Sequence, residues 1–135
     1  PAPRRLAPVR AARTMNTAWT QHSHFAALDW ASDHHDVIVL DRTRAVVAEF
    51  RFAHSAAGWA EFTEKLKPFP GTPFTLETSS GPAVDQLLQR RFTLYPLAPG
   101  AAARYRERKA PSGTKSDRHD TWAMADALRT DGHAW

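Results

Sequence analysis

The order of strand-like and helical segments is the feature that most constrains the fold of this chain. Three mostly apolar segments joined by short polar turns are predicted to form strands over residues 24–31, 37–41 and 45–53, and the second of them is rich in β-branched residues. The pattern then changes to a helical spacing at Trp59, Phe62 and Leu66, which predicts a helix over residues 56–66. Because the turns between the strands are short, we expect an antiparallel meander.

Helices and strands alternate through the rest of the sequence. Two more strands are predicted over residues 74–78 and 92–97, and between them a helix begins near Pro82 with Ser80 as its cap. A last helix is predicted over residues 115–129. Right-handed crossovers set both later strands parallel to the first. The expected fold is a mixed α/β sheet of RNase H-like (RuvC-like) order, in which the fourth strand lies beside the first.

Composition limits the class of protein. With 135 residues, of which 42% are hydrophobic, the chain has the size and apolar content of one globular domain. It contains no cysteine, which excludes disulfides and thiolate metal sites. The sequence has no apolar run of the roughly 18 residues that a membrane-spanning helix needs. We therefore expect a cytoplasmic protein without a membrane partner.

The net charge of +4 comes from the N-terminal end. Residues 1–14 contain four arginines and no acid, whereas 14 Lys and Arg balance 14 Asp and Glu from Met15 onward. We predict that residues 1–22 are a disordered basic tail, either a nucleic-acid arm or vector or upstream translated sequence. Residues 23–135 are predicted to fold. Their balanced charge is unusual for a protein that only coats DNA, and it is compatible with a nuclease whose carboxylates offset its basic residues.

Four acids fall where this fold would bring them together. Asp29 lies in the first strand, Glu77 ends the fourth, and Asp117 and Asp120 share one face of the last helix. Taken singly, Asp29 could pair with an arginine, Glu77 could be an exposed acid, and Asp117 could form a capping box with Thr114. Taken together, they predict a site for hard divalent cations such as Mg²⁺. Two such ions about 4 Å apart can activate a water or a 3′-hydroxyl at a phosphodiester.

Five short segments carry the most specific pattern. They are residues 27–31 (ALDWA), 76–81 (LETSSG), 95–97 (YPL, followed by Pro99), 112–120 (SGTKSDRHD) and 125–129 (ADALR). In order, spacing and identity, they resemble the DEDD transposases of bacterial insertion sequences, in the insertion-sequence one-ten group, which are related to the Piv and MooV DNA invertases. The resemblance covers about residues 24–135, the whole of the predicted domain apart from its first residue.

The resemblance implies roles for the four acids. Asp29, Glu77, Asp117 and Asp120 match the catalytic D, E, D and D of a RuvC-like domain that binds Mg²⁺ or Mn²⁺. Such enzymes cleave and join DNA when an insertion sequence is excised and inserted, so DNA, a guide RNA and a homo-oligomeric full-length protein are the implied partners. Family members also carry a C-terminal domain with a nucleophilic serine, so we expect a truncated chain that cannot complete recombination alone. Ser32 stands where the family often has lysine, which leaves the metal ligands intact but removes one expected phosphate contact.

The densest basic region directly precedes the last two acids. Its members are candidates for binding nucleic acid: Arg104, Arg106, Arg108, Lys109, Lys115 and Arg118. We predict that they form a phosphate track leading to the site. The alternative is a solvated helix face on which Glu107 pairs locally.

Other residues of chemical interest have structural interpretations. His34 and His35 fall in a predicted polar turn over residues 32–36, a poor spacing for a zinc site, and are expected to be solvated. Asp126 is interpreted as a surface or pairing residue, and Asp131 as part of the last helix's end. The core is expected to contain three tryptophans, Trp30, Trp59 and Trp122.

Two other functions fit the same sequence. A stand-alone nuclease or junction resolvase of this fold predicts structure-selective DNA cutting by this chain without a partner domain. A non-catalytic remnant predicts nucleic-acid binding that survives loss of the carboxylates and is indifferent to Mg²⁺.

Overall fold

A computed structural model describes residues 19–109 and 117–135 of the chain. The strands in these ranges are His24–Trp30 (β1), His34–Asp41 (β2), Val46–Ala53 (β3) and Phe74–Thr75 (β4). The α-helices are Ala56–Leu66 (α1), Pro82–Gln89 (α2), Pro99–Lys109 (α3) and Asp117–Asp131 (α4), and the short 3₁₀ helices are Trp19–Gln21 and Gly132–Ala134. None of the described helices has the length and apolar composition needed to cross a membrane.

The four strands form one mixed sheet in the order β3-β2-β1-β4. β2 pairs antiparallel with both β1 and β3, and β4 pairs parallel with β1. The predicted meander and the predicted position of the fourth strand beside the first are therefore confirmed. So is the mixed α/β fold of RNase H-like order.

Side chains alternate between the two faces of the sheet, and helices cover both faces. On one face, Leu28 and Val37 belong to a core that also contains residues of α1 and α2, including Phe62. On the other face, Phe25 and Ile38 belong to a second core formed with α3 and α4. β1 is thus buried on both sides over most of its length, and only its carboxyl end emerges from the two cores.

The beginning of α1 shows how the sequence specifies a helix here. The Ser55 side chain caps the helix by accepting a hydrogen bond from Gly58 N at 3.0 Å. Trp59, Phe62 and Leu66 follow at helical spacing on the buried side, where each contributes about 1.5–3 kcal/mol by burial. Prolines after the helix prevent its continuation.

Two predicted details between residues 74 and 97 are wrong. The fifth strand is reduced to isolated bridge residues, Leu94, which pairs with Phe74, and Leu97, although Tyr95 N still donates to Phe74 O at 2.7 Å. Its neighbour β4 is itself only two residues long, so there is little ladder for it to extend. Ser80 does not cap α2; the cap is Gly81, whose φ of 117° suits a residue without a side chain.

The basic stretch after Pro99 is a helix, α3, which the sequence analysis left unassigned. Alanine, arginine and glutamate are strong helix formers, and they dominate this segment. Ala101, Ala102 and Tyr105 are buried along one side of it, against the second core. The helix therefore holds its arginines at defined positions beside α4.

Described structure begins at Trp19, ahead of the boundary predicted at Ser23. The Trp19 ring packs against Phe25 and Tyr95, with ring centroids 5.5 and 5.3 Å apart. The rest of the predicted tail, residues 1–18, lies outside the described residues.

Candidate nuclease site at the edge of the sheet

Asp29 lies at the carboxyl end of β1, one residue before the strand ends. By the alternation of the strand, it shares a face with Phe25 and Ala27, which pack in the core formed with α3 and α4. Unlike those two residues, Asp29 is exposed. Its carboxylate therefore avoids the desolvation cost of a buried charge.

Asp36 lies directly opposite Asp29 in the β1–β2 register, which places two acids side by side. Arg51 of β3 pairs with Asp36 through both of its oxygens, Nε to Oδ1 at 2.8 Å and a terminal nitrogen to Oδ2 at 3.0 Å. The guanidinium offsets the charge that Asp36 adds beside Asp29. The sequence analysis did not assign Asp36 or Arg51 to the site. Side chains alternate along a strand, so extending β2 back from Ile38 would have put Asp36 on the same face of the sheet as Asp29.

A groove of about 340 Å³ opens on the same face, lined in part by Asp36, Ile38, Glu49 and Arg51 of the strands and by Thr121 of α4. Because Asp36 also faces Asp29, the groove leads towards the edge that carries Asp29.

Glu77 follows β4 by two residues. The parallel register between β1 and β4 sets Ala27 opposite Thr75, where β4 ends, and Asp29 and Glu77 each follow two residues later. The Glu77 side chain is 31% exposed. The two acids that were predicted at neighbouring strand ends therefore occupy the same edge of the sheet.

Arg106 of α3 lies between two of the predicted site acids. One terminal nitrogen donates a hydrogen bond to Glu77 Oε1, and Nε lies 3.8 Å from Asp120 Oδ1. The three side chains are 26%, 31% and 35% exposed, so their charges are only partly screened by water. The structure thus connects Glu77 with Asp120 through one guanidinium.

A chain of hydrogen bonds ties α3 to α4 next to Arg106. The Tyr105 hydroxyl donates to Asp131 Oδ2 at 2.8 Å and accepts from Trp135 Nε1 at 3.3 Å. Burial and the bond to Asp131 raise the pKa of Tyr105 to about 12. The phenol therefore stays a neutral donor at physiological pH and keeps α3 against α4. Asp131 is the last residue of α4, as predicted.

α4 begins at Asp117, so Asp117 and Asp120 are one turn apart at its N-terminal end. The side chain of Asp117 and the capping box with Thr114 lie outside the described residues. Asp126, further along, is 1% exposed and pairs with Arg129, whose Nε and second terminal nitrogen lie 2.9 Å from Oδ1. Asp126 is thus a pairing residue, as predicted, but a buried one.

The predicted nucleic-acid residues divide between two directions. Arg104 and Arg108 are exposed and four residues apart, so they share one face of α3, where Arg108 also lies 5.1 Å from the Tyr105 ring. Arg106 turns to the acids instead. The side chains of Lys109 and Arg118, and the whole of Lys115, lie outside the described residues.

Comparison with known protein families shows which family this chain belongs to. A family model for DEDD transposases of the IS110 type, described as "Transposase", matches residues 26–134. The chain belongs to this transposase family. The match contains Asp29, Glu77, Asp117 and Asp120, and it confirms the resemblance found in the sequence.

Two relatives of the transposase domain are named as transposases themselves. It is 36% identical over 115 residues to the "Mini-circle putative transposase for IS117" of Streptomyces coelicolor. It is 33% identical over 117 residues to the "Putative transposase y4uE" of Sinorhizobium fredii. Each match covers 82% of this chain but only 28% and 33% of the two relatives, so the chain spans about a third of their length.

The histidine prediction for this transposase domain is wrong at His35. β2 begins at His34, and His35 is 1% exposed, in contact with Phe52 and Trp59 on the face of the first core. Its Nε2 lies 2.9 Å from His54 Nδ1, and its Nδ1 accepts from Ala31 N at 3.3 Å. Because the backbone amide can only donate, His35 carries its proton on Nε2 and donates to His54.

The predicted tryptophan core is confirmed only in part. Trp59 is 3% exposed, and Trp122 is half-buried with the Arg44 guanidinium 5.7 Å from its ring. Trp30, the residue after Asp29, is 49% exposed. It ends β1 beyond the cover of the helices, so its ring lies open at the edge that carries the site acids.

Proposed function

We propose that this transposase domain carries an RNase H-like site that cleaves and joins DNA phosphodiesters during excision and insertion of an insertion sequence. Asp29, Glu77, Asp117 and Asp120 are the proposed ligands of Mg²⁺ or Mn²⁺. The observation that carries the proposal is the parallel pairing of β1 with β4, because Asp29 and Glu77 lie at the carboxyl ends of these two neighbouring strands, where α/β folds place their sites. Arg106 contacts both Glu77 and Asp120, so the Asp120 side chain lies near that of Glu77.

The chemistry of this donor set fits a hard divalent cation, since Mg²⁺ and Mn²⁺ prefer carboxylate oxygens. The described side chains do not by themselves form a complete set of metal ligands. Among the side chains that the structure describes, which do not include that of Asp117, no three acids or histidines are grouped closely enough to hold a metal ion. The proposed site therefore needs Asp117, whose side chain is not among those described, and a rearrangement at Arg106.

When bound, the metal ions would supply a nucleophilic oxygen and stabilise the leaving oxygen of the phosphodiester. The chain's own residues hold and orient the strand. Arg104 and Arg108 present two guanidinium groups on one face of α3, at a spacing suited to successive phosphates. Trp30 follows Asp29 and projects from the opposite face of β1, and it offers an exposed ring at the same end of the strand on which a base can stack.

DNA is the proposed partner of the domain. A guide RNA and self-association, which the family resemblance implies, stay predictions. The chain spans about a third of the length of its two relatives. Excision and insertion are therefore proposed for a whole transposase that contains this domain, and not for the domain alone.

A non-catalytic nucleic-acid-binding domain is the second candidate. The observation that favours it is the pairing of Glu77 with Arg106, together with the lack of a three-ligand group among the described residues. In that function the acids act only as partners of arginines.

Metal titration with and without DNA separates these functions. Mn²⁺ binding to the purified chain would be measured by calorimetry, alongside Asp29→Asn, Glu77→Gln and a control, Glu61→Gln, which removes an exposed acid of α1. We expect binding by the parent and the control, at least tenfold weaker binding by both site variants (about 1.4 kcal/mol), and tighter DNA binding when Mn²⁺ is present.

Equal binding by all four proteins would contradict the proposed metal site. If neither Mn²⁺ nor the site substitutions change the affinity for DNA, the result would support the non-catalytic, nucleic-acid-binding function instead. Cutting of branched DNA by this chain alone would support a stand-alone nuclease.

A further inference from the structure

Arg106 supplies a positive charge between two acids of the candidate site. Its terminal nitrogen donates to Glu77 Oε1, and its Nε lies 3.8 Å from Asp120 Oδ1. The charge of two candidate ligands is thus offset by a residue of the chain itself.

A divalent cation and this guanidinium compete for the same oxygens. Mg²⁺ binds carboxylate oxygens at about 2.0–2.1 Å, which leaves no room for an N–H donor on the same lone pair of Glu77. Two positive charges at one half-buried carboxylate also repel each other more strongly than they would in bulk water. A metal ion bound through Glu77 Oε1 would therefore displace Arg106 directly, and one bound through the other oxygen would still set two positive charges at one carboxylate.

We propose that Arg106 is a displaceable counter-ion that sets the metal affinity of this site. This inference rests on the proposed function and adds to it a positioning residue on α3, outside the four acids. Before metal binds, Arg106 holds Glu77 and Asp120 together and limits their repulsion. A divalent cation displaces it, and the planar guanidinium is left at the rim of the site, where it suits a phosphate oxygen of the bound strand.

Arg104 provides a matched control on the same helix. It is exposed and lies two residues from Arg106, a separation that places it on a different side of α3. Replacing either residue by glutamine removes one positive charge from the same helix. Only Arg106→Gln removes the contact with Glu77 and Asp120.

The test measures Mn²⁺ affinity by calorimetry and thermal unfolding with and without Mn²⁺ for the parent, Arg106→Gln and Arg104→Gln. We expect Arg106→Gln to bind Mn²⁺ about tenfold more tightly than the parent, within the usual range of coupling between two ligands. Without metal, it should unfold at a lower temperature than the parent, because two acids lose their counter-charge. Mn²⁺ should then raise its unfolding temperature more than that of the parent. Arg104→Gln should match the parent in both measurements.

Unchanged or weaker Mn²⁺ binding by Arg106→Gln would overturn the proposal, because a purely structural ion pair lowers stability without raising metal affinity. If Arg106→Gln does not fold, Arg106→Lys keeps the charge but loses the planar fork. Arg106→Lys should bind Mn²⁺ more tightly than the parent does and less tightly than we expect of Arg106→Gln. A Mn²⁺ affinity equal to or below that of the parent would refute the role of Arg106 as a displaceable counter-ion. Should the parent and every variant fail to bind Mn²⁺, the proposed metal site fails, and this inference fails with it.

Discussion

A buried neutral histidine should make the stability of this domain depend on pH in a defined window. His35 is 1% exposed and is held between Ala31 N and His54 by hydrogen bonds that require its neutral form. Burial, followed by repulsion from His54 and His34, lowers the pKa of His35 from 6.5 to about 4, although Asp36 opposes the shift. The folded domain therefore resists the proton that the unfolded chain accepts.

The magnitude follows from this difference in pKa. As the pH falls below 6.5, the unfolded chain protonates at His35 while the folded chain does not, so the free energy of unfolding falls until about pH 4. At about 1.4 kcal/mol for each pH unit, the total loss from this residue is about 3 kcal/mol. The loss is absent at pH 7 and above, where both states are neutral at this position.

The variant His35→Leu isolates this contribution. It leaves no orphaned partner, because Ala31 N also donates to His34 O at 3.0 Å and His54 Nδ1 also accepts from Trp59 Nε1 at 3.3 Å. We expect the parent to be more stable than the variant by about 1 kcal/mol at pH 7, for the hydrogen bonds lost. Near pH 4 the order should reverse, because only the parent suffers the proton-linked loss.

Urea unfolding of both proteins between pH 7 and pH 4 measures the difference directly, since the contributions of the carboxylates cancel. His133→Gln, at an exposed position, serves as the control and should follow the parent. A difference between parent and His35→Leu that stays constant over this range would refute the argument that His35 is buried in its neutral form.

Three other substitutions test the packing and the open edge. Gly58→Ala should destabilise the domain by about 3 kcal/mol in urea unfolding, because the new Cβ would lie 1.8 Å from Ala53 O; a loss below about 0.5 kcal/mol would contradict this close approach. Arg129→Met should cost about 3 kcal/mol in the same assay, because it removes the guanidinium from the buried carboxylate of Asp126, and a neutral result would show that this pair is dispensable. Trp30→Ala should weaken binding of single-stranded DNA by about 1–3 kcal/mol in fluorescence anisotropy while leaving stability nearly unchanged, and full affinity would exclude stacking on this ring.

Much of the fold follows from local patterns in the sequence. The apolar runs of the first two strands, the alternation in the third and the helical spacing of Trp59, Phe62 and Leu66 correspond to the observed strands and α1. The adjacency of β1 and β4 follows from the right-handed crossover, and it sets the strand ends that precede Asp29 and Glu77 at one edge of the sheet. These features depend on periodicity and chain connectivity, which a single sequence contains.

The surroundings of the site depend on tertiary contacts that local patterns do not specify. Arg106 looked like one member of a basic run, but the helical turn of α3 directs it to Glu77 and away from its neighbours. His35 looked like a turn residue because it lies in a polar segment, whereas pairing with β1 and β3 extends the strand over it. Two residues before Val37, it keeps the alternation of β2, so this pattern could have revealed it.

The position of a bound metal on the chain tests the central claim most directly. Fe²⁺ can replace Mg²⁺ at carboxylate sites, and with ascorbate and peroxide it cleaves the backbone nearby; mass spectrometry then locates the cuts. We predict cleavage clustered around Asp29, Glu77 and the segment from Asp117 to Asp120, suppressed by excess Mg²⁺ and lost in Asp29→Asn. Cleavage near His35 and His54 instead, or cuts spread along the chain and indifferent to Mg²⁺, would contradict a metal site at this edge of the sheet.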